Sequence, residues 1–291
     1  MASFRGLGVA LITPFDNNGN IDFSSLENLI DYQIEGGVDY IVALGTTAET
    51  PALSADERHK VRRFVVDRVG GRVPLVAGCG GNSTSAILDE LRNSDLDGFS
   101  GILSVVPYYN KPTQGGIHAH FAAIAEASPL PVILYNIPSR TGVNMLPETT
   151  LALASEFPGR VVAVKEASGN IGQINRIIAD SPEGFEVISG DDSLTFPLIC
   201  LGAAGVISVA ANAVPAPMKQ LVRLALEGDM AGAREVHRSL SEVFRLLFVD
   251  GNPAGVKAML SCQGRIANVL RLPLVPASAS TCEALSRLTV D

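Results

Sequence analysis

Short apolar runs recur along the chain at intervals of roughly 20 to 35 residues, about the length of one strand and one helix. Most are rich in β-branched residues and end in small or polar ones, a pattern typical of buried strands. The predicted strands lie at residues 8–12, 40–43, 74–77, 101–105, 131–134, 161–164, 185–188 and 205–209.

Amphipathic stretches between these runs predict helices. They include residues 23–35, 54–69, 83–93 and 149–155, and Ser54 with Glu57 has the spacing of a capping box. Strands alternating with helices in this way predict an α/β protein, a closed (β/α)8 TIM barrel rather than an open doubly wound sheet. An open nucleotide-binding sheet would also need a GxGxxG turn after its first strand, and residues 13–16 supply none.

The pattern becomes mainly helical after residues 215–217. Helices are predicted at 218–227, 230–247, 253–262 and 280–288. No internal repeat beyond the strand-and-helix period and no low-complexity linker separates an independent domain. We therefore expect a barrel catalytic domain at residues 1–225, followed by a C-terminal helical extension at 226–291.

The composition excludes several classes of function. The 291 residues are 47% apolar, enough for a sizeable core, and the net charge of −8 offers no basic field for nucleic acid or an anionic membrane. No leader-like segment or membrane-length apolar run occurs, so no membrane partner is expected. The four cysteines have no CxxC spacing, which argues against a zinc site and a disulfide framework and favours a cytoplasmic location.

The run at 161–164 ends on Lys165, which is followed by small and polar residues. An ammonium at the end of a buried strand is partly stripped of water, and this favours the neutral amine that attacks a carbonyl. Lys165 is therefore a candidate Schiff-base lysine. A solvated or ion-paired lysine is the commoner reason for this pattern, so other residues must decide.

Further candidates follow other predicted strands, at the end of the barrel where chemistry takes place. Residues 45–50 form a small, threonine-rich turn that could hold a carboxylate or could simply cap the next helix. Tyr108, Tyr109 and Tyr135 are three of the five tyrosines, and core filler would not be expected to gather at two strand ends. Arg140 offers a guanidinium for a carboxylate, or for an ordinary surface salt bridge.

Other residues argue against phosphate and metal ligands. The predicted seventh strand ends in Asp191 and Asp192, whereas a phosphate-binding barrel would need a glycine-rich loop free of acids. His118 and His120 lie two residues apart on a predicted helix and would point in different directions, so a surface position is expected for them. We expect no metal and no cofactor.

Four motifs occur together in the order of one known family. They are Gly45-Thr46-Thr47-x-Glu49, Tyr108-Tyr109-Asn110-x-Pro112, Tyr135-Asn136-x-Pro138-Ser139-Arg140-Thr141-Gly142 and Lys165-Glu166-Ala167-x-Gly169-Asn170. The chain thereby resembles the dihydrodipicolinate synthase family, which belongs to the pyruvate-dependent class I aldolases together with N-acetylneuraminate lyase. The resemblance covers nearly the whole chain. It implies condensation of pyruvate with L-aspartate 4-semialdehyde in the diaminopimelate route to lysine.

The resemblance also implies roles for individual residues. Lys165 would form the Schiff base with pyruvate, and Tyr135 would be the general acid and base. Thr46 and Tyr109 would complete a hydroxyl relay from Tyr135 to solvent. Tyr109 would reach the site of a neighbouring subunit across the tight interface of a homotetramer built as a dimer of dimers.

Substrate binding follows from the same resemblance. The pyruvate carboxylate would bind Thr46 and Thr47, in a pocket lined by the Gly190 carbonyl and by Ile207. Arg140 would bind the carboxylate of the semialdehyde, and it is the residue that sugar-acid lyases of the group lack in this loop.

The chain departs from the family pattern at two places. Ala48 replaces a usual glycine and Thr50 a usual serine, so the alanine would be strained if its φ had to be positive. In lysine-inhibited members a histidine and a glutamate hold the effector, and here Arg58 and Ala86 stand at those positions, with Asn82 and Tyr108 retained. Inhibition by lysine is therefore expected to be weak or absent.

Two other functions remain open from the sequence. One is a related pyruvate-dependent aldolase, lyase or dehydratase that uses a different 2-oxo acid or sugar acid, and the choice of aldehyde acceptor would distinguish it. The other is a barrel that binds an effector or partner without turnover, which would fail to form a reducible imine with pyruvate.

Overall fold

The structure is a computed structural model that describes residues 3–288. Within that range eight parallel strands follow one another around a closed barrel, and β1 pairs with β8 to complete it. This confirms the predicted (β/α)8 fold. The strands are β1 Gly6–Ala10, β2 Tyr40–Ala43, β3 Leu75–Gly78, β4 Gly101–Val105, β5 Val132–Asn136, β6 Val161–Glu166, β7 Glu186–Ser189 and β8 Gly205–Ser208.

Helices lie between the strands and continue beyond the last one. They are α1 Phe23–Glu35, α2 Ala55–Val69, α3 Thr84–Asn93, α4 Gln114–Ala127, α5 Pro138–Thr141, α6 Pro147–Glu156, α7 Ile171–Asp180, α8 Thr195–Cys200, α9 Pro215–Glu227, α10 Met230–Leu246, α11 Ala254–Cys262 and α12 Ala279–Ser286. The predicted capping box is confirmed: the Ser54 hydroxyl accepts from the Glu57 N–H, and the Glu57 carboxylate accepts from the Ser54 N–H.

Two apolar clusters form the core. The larger one lies between the strands and the helices, and it extends from β1 to α12. The smaller one fills the barrel interior with side chains such as Phe4, Tyr40, Leu103 and Ile207. Because strand side chains alternate between the two faces, both faces of each strand are buried. The near-continuous apolar runs of the sequence are the result.

Two predicted strand ends were too early. The apolar runs predicted ends at residues 134 and 164, but β5 continues to Asn136 and β6 to Glu166. Polar side chains are therefore part of these strands at the mouth of the barrel. The extension places Tyr135 and Lys165 in the sheet itself, where the register pairs them directly.

The C-terminal part of the chain packs closely on the barrel. Helix α9 contacts β1 and β8, α10 packs along α9, and α11 packs against α12. The predicted division between residues 225 and 226 falls just before the end of α9 and stays a prediction. In the part of the chain that the structure describes, no helix is both long and apolar enough to cross a membrane.

Candidate active site

Lys165 and Tyr135 lie side by side at the C-terminal ends of β6 and β5. The Lys165 Nζ is 4.4 Å from the centroid of the Tyr135 ring, and both side chains are almost fully buried. Position in a regular strand fixes the direction of each side chain towards the barrel interior. The structure thus brings together two of the four residues to which the resemblance assigns catalytic roles.

Burial makes Lys165 more easily deprotonated. The side chain is 5% exposed, and loss of water around the ammonium lowers the pKa of Lys165 to about 8. The Asp192 carboxylate opposes this change and the Arg140 guanidinium adds to it. The neutral amine is therefore far more populated near neutral pH than it is for an ordinary lysine.

The pKa of Tyr135 changes in the opposite direction, also because of burial. Burial raises the pKa of Tyr135 to about 12, because the phenolate is poorly solvated there. The Arg140 charge and the Thr46 side chain, which interacts with the phenol, favour the phenolate and limit the rise. Tyr135 remains a protonated phenol in the resting site, and Thr46 is its polar neighbour.

Gly190 lies beside the lysine, and Ile207 lies in the interior of the barrel. A side chain at Gly190 would lie 3.1 Å from Cε of Lys165 and 2.7 Å from Cβ of Ala167, so only glycine leaves room for the lysine. Ile207 on β8 is buried in the barrel interior. Gly190 therefore lies against the lysine, and the role of Ile207 as a pocket residue stays a prediction.

The threonine-rich turn follows β2 directly. Residues 46–48 form a single 3-10 turn, and the non-glycine residues at its two borders, Leu44 and Glu49, have φ values of 59° and 55°. Ala48 is buried and does not have a positive φ, so the backbone strain expected at Ala48 is absent. The positive φ occurs at Glu49 instead. Gly78 on β3 permits this path, because a Cβ there would lie 1.9 Å from the Leu44 carbonyl oxygen.

Arg140 lies on the short helix α5, where its Nη2 donates to the main-chain oxygen of Asn252 at 3.1 Å. It lines two cavities of about 390 and 490 Å³ at the mouth of the barrel. Tyr135 and Thr46 line the first, and Gly190 lines the second. The guanidinium is thus placed between the two openings, next to the lysine and the phenol.

Tyr109 is the predicted residue that does not join this group within one chain. It is 88% exposed, has a φ of 73°, and lines neither cavity, whereas its neighbour Tyr108 lines the first. The expectation that it reaches a neighbouring subunit stays a prediction.

The predicted surface position of the two histidines is wrong for His120. His120 is buried between α4 and α3, where its Nδ1 is 2.8 Å from the Thr84 hydroxyl, and burial lowers its pKa to about 4. His118 is partly exposed and contacts Glu156 at 3.0 Å. Among residues 3–288, no group of three or more His, Cys, Asp or Glu side chains is arranged to hold a metal ion.

The sequence patterns predicted no role at the site for two residues that the structure places there. Asp192 is buried after β7, accepts from the N–H groups of Val209 and Ala210 at 3.1 and 2.8 Å, and acts electrostatically on Lys165. The only signal for it was the pair of adjacent acids at that strand end. Asn252 reaches the site from the C-terminal part, and no local pattern pointed to its contact.

Comparison with known proteins identifies one family. Residues 3–290 match the model of the dihydrodipicolinate synthetase family. A 4-hydroxy-tetrahydrodipicolinate synthase of Parabacteroides distasonis is 55% identical, over 97% of this chain and 95% of that protein. One of Phocaeicola vulgatus is 54% identical, over 97% and 94%. The crystal structure of dihydrodipicolinate synthase from Thermotoga maritima superposes with a TM-score of 0.94 at 44% identity, covering 97% of this chain and 96% of that one.

Proposed function

The chain belongs to the dihydrodipicolinate synthetase family, and we propose that it performs the reaction for which its relatives are named. It is a lyase that forms a Schiff base with pyruvate and condenses it with L-aspartate 4-semialdehyde to give 4-hydroxy-tetrahydrodipicolinate. The observation that carries this proposal is the buried Lys165 beside Tyr135 at the mouth of a barrel with the family's motifs.

The reaction begins with attack of the neutral Lys165 amine on the pyruvate carbonyl carbon. Water leaves and an iminium forms, and Tyr135 donates and accepts the protons that these steps require. The iminium withdraws electrons from the pyruvate methyl group, so that one of its protons can leave and an enamine results. The enamine carbon then adds to the aldehyde carbon of the semialdehyde, whose oxygen takes up a proton. The amino group of the semialdehyde next attacks the iminium carbon and displaces the Lys165 amine, which closes the ring and frees the lysine.

The polar groups around the lysine have separate tasks in this scheme. Thr46 and Thr47 bind the pyruvate carboxylate, and Thr46 also passes protons to and from Tyr135. Arg140, at the opening between the two cavities, pairs with the carboxylate of the semialdehyde. Gly190 and Ile207 line the pocket beside Lys165 in which the small 2-oxo acid binds.

We also propose a homotetramer in which Tyr109 enters the site of the neighbouring subunit and extends the hydroxyl relay. Its exposure at 88%, with φ in the left-handed region, supports a contact made outside its own chain. The four free cysteines are compatible with a reducing compartment, and we propose the cytoplasm as the location.

The proposal is tested by the choice of aldehyde. Purified protein is incubated with pyruvate and, in separate reactions, with L-aspartate 4-semialdehyde, with the same aldehyde lacking its amino group, and with an N-acetylated amino sugar. We expect rapid loss of pyruvate and aldehyde only with the aspartate semialdehyde. Preference for the sugar would identify a lyase of the same group, and absence of turnover together with absence of imine would identify a barrel that only binds.

A further inference from the structure

Asn252 contacts both of the elements to which the proposed function assigns a substrate carboxylate. Its side-chain Nδ2 donates to the Thr47 hydroxyl oxygen at 2.9 Å, and its main-chain oxygen accepts from Arg140 at 3.1 Å. The residue is 8% exposed and lies just before α11. One residue of the C-terminal part therefore joins the turn after β2 to the helix after β5.

The direction of the first hydrogen bond determines what Thr47 can do. A hydroxyl group has one hydrogen to donate and two lone pairs that accept. When the Asn252 amide donates to the Thr47 oxygen, the hydroxyl hydrogen stays free to point towards an anion. A hydrogen bond to an ionised carboxylate is about twice as strong as one between neutral groups. The hydrogen bond from Asn252 thus leaves the Thr47 hydroxyl hydrogen available to donate to the substrate.

The same turn is fixed at its other end by a buried ion pair. Glu49, which ends the turn with positive φ, pairs with the fully buried ammonium of Lys257 on α11, and its second oxygen accepts from the Arg271 N–H at 3.0 Å. Non-glycine residues with positive φ persist only where their surroundings hold them. Lys257 on α11 and Asn252 in the segment just before α11 supply such contacts.

We infer that Asn252 is a positioning residue for pyruvate: it orients the Thr47 hydroxyl towards the pyruvate carboxylate. This inference rests on the proposed function and assigns the substrate that the residue serves. Its main-chain link to Arg140 does not depend on the side chain. Changes of the side chain should therefore affect pyruvate and leave the semialdehyde largely unaffected.

The test compares Asn252→Ala and Asn252→Asp with the unchanged protein, measuring KM for each substrate. Asn252→Ala should raise the pyruvate KM about tenfold, the effect of one hydrogen bond to a charged group. Asn252→Asp should raise it more, because the new carboxylate accepts the Thr47 hydrogen and repels the pyruvate carboxylate. The KM for the semialdehyde should change less than about twofold, a negligible difference in binding free energy.

A double-mutant cycle shows whether Asn252 acts through Thr47. Thr47→Val should raise the pyruvate KM by itself, and adding Asn252→Ala to it should cause no further increase. Asn268→Ala, which alters an asparagine of the same C-terminal part whose amide contacts the Cys282 sulfur, is the matched control and should change neither KM. Melting temperature and circular dichroism of each variant report on folding.

The inference is overturned if folded Asn252 variants keep the pyruvate KM, if both KM values rise together, or if the effects of Thr47→Val and Asn252→Ala add. Asn252→Asp keeps the shape of the side chain, so it remains informative if the alanine variant does not fold. Failure of the proposed function would look different, because the unchanged protein itself would form no reducible imine with pyruvate.

Discussion

Lys165 and Tyr135 are direct neighbours in the register of β6 and β5, and the lysine Nζ lies 4.4 Å from the centroid of the phenol ring. Burial changes their pKa values in opposite directions, to about 8 for Lys165 and about 12 for Tyr135. Near neutral pH the pair therefore combines an amine that loses its proton easily with a phenol that keeps its own. Imine formation requires such a nucleophile and such an acid together.

Removal of the hydroxyl group of Tyr135 or of Thr46 should slow turnover strongly without unfolding the protein. Tyr135→Phe and Thr46→Val each remove one hydroxyl and keep the volume nearly constant, so kcat should fall by about a hundredfold or more, as for loss of a general acid or base. Steady-state kinetics and melting temperature check this. Tyr40→Phe, which changes the tyrosine at the other end of the barrel interior, should leave kcat unchanged. A Tyr135→Phe variant with near-normal kcat would contradict the assigned role.

Replacement of Arg140 should separate the two substrates. Arg140→Met removes the charge but keeps much of the aliphatic volume, so use of the semialdehyde should decline by about tenfold or more in kcat/KM, the loss of one charged hydrogen-bonding partner. Trapping of pyruvate by borohydride should continue at a comparable rate. Equal loss of pyruvate trapping would mean that Arg140 serves mainly to hold the structure through its contact with Asn252.

Two buried lysines should respond oppositely to the same substitution. Burial lowers the pKa of both Lys165 and Lys257 to about 8, but only Lys257 has a buried ion-pair partner, Glu49. Lys257→Met leaves that carboxylate unpaired and should lower the free energy of unfolding by about 3–5 kcal/mol. Adding Glu49→Gln should recover part of the loss. Lys165→Met should abolish activity but unfold no more easily than the unchanged protein at pH 7.

The difference in unfolding free energy between the unchanged protein and Lys165→Met should depend on pH in a defined direction. Between its folded pKa of about 8 and the unfolded value of about 10.4, the unfolded chain binds more protons, so a rise in pH stabilises the unchanged protein relative to Lys165→Met. Below about pH 8 the difference should be constant. Denaturant titrations of both proteins from pH 7 to pH 10.5 measure it, and the opposite slope would contradict the buried position of the lysine.

Free lysine should inhibit weakly or not at all. Arg58 and Ala86 replace the residues that the resemblance associates with the effector, and Arg58 lines the first cavity together with Tyr108. Glu90 lines it too, but its carboxylate is already paired with Arg62. An effector ammonium without a free carboxylate partner would lose hydration and gain too little in return.

A titration of initial rate with lysine, at near-saturating pyruvate, checks this expectation. The double variant Arg58→His/Ala86→Glu should be inhibited more strongly than the unchanged protein, because it supplies the missing carboxylate. Full inhibition of the unchanged protein at submillimolar lysine would show that other residues build an effector site.

The sequence predicted the barrel because each strand is buried on both faces and therefore appears as an apolar run. It also predicted the site residues at the strand ends, since parallel strands present their C-terminal ends together. The positions of Tyr135 and Lys165 inside β5 and β6 could not be read locally, because polar residues end an apolar run even where the sheet continues.

Contacts between distant parts of the chain could not be predicted from local sequence patterns. Asn252 is 205 residues from Thr47, and nothing near either residue indicates that they meet. His120 was expected on the surface because His118 and His120, two residues apart on a helix, would point in different directions, yet the packing of α3 on α4 buries it with Thr84 as partner. Long-range packing decides both cases.

The central claim is that Lys165 is the amine that bonds to pyruvate, and reductive trapping tests it directly. The protein is treated with pyruvate and borohydride, digested, and analysed by peptide mass mapping, with Lys165→Met as the control. We expect one stable adduct, on Lys165, and none in the control, although Lys257 is also buried and has a pKa of about 8. Adduct on Lys257 or on a surface lysine, or no adduct at all, would contradict the account.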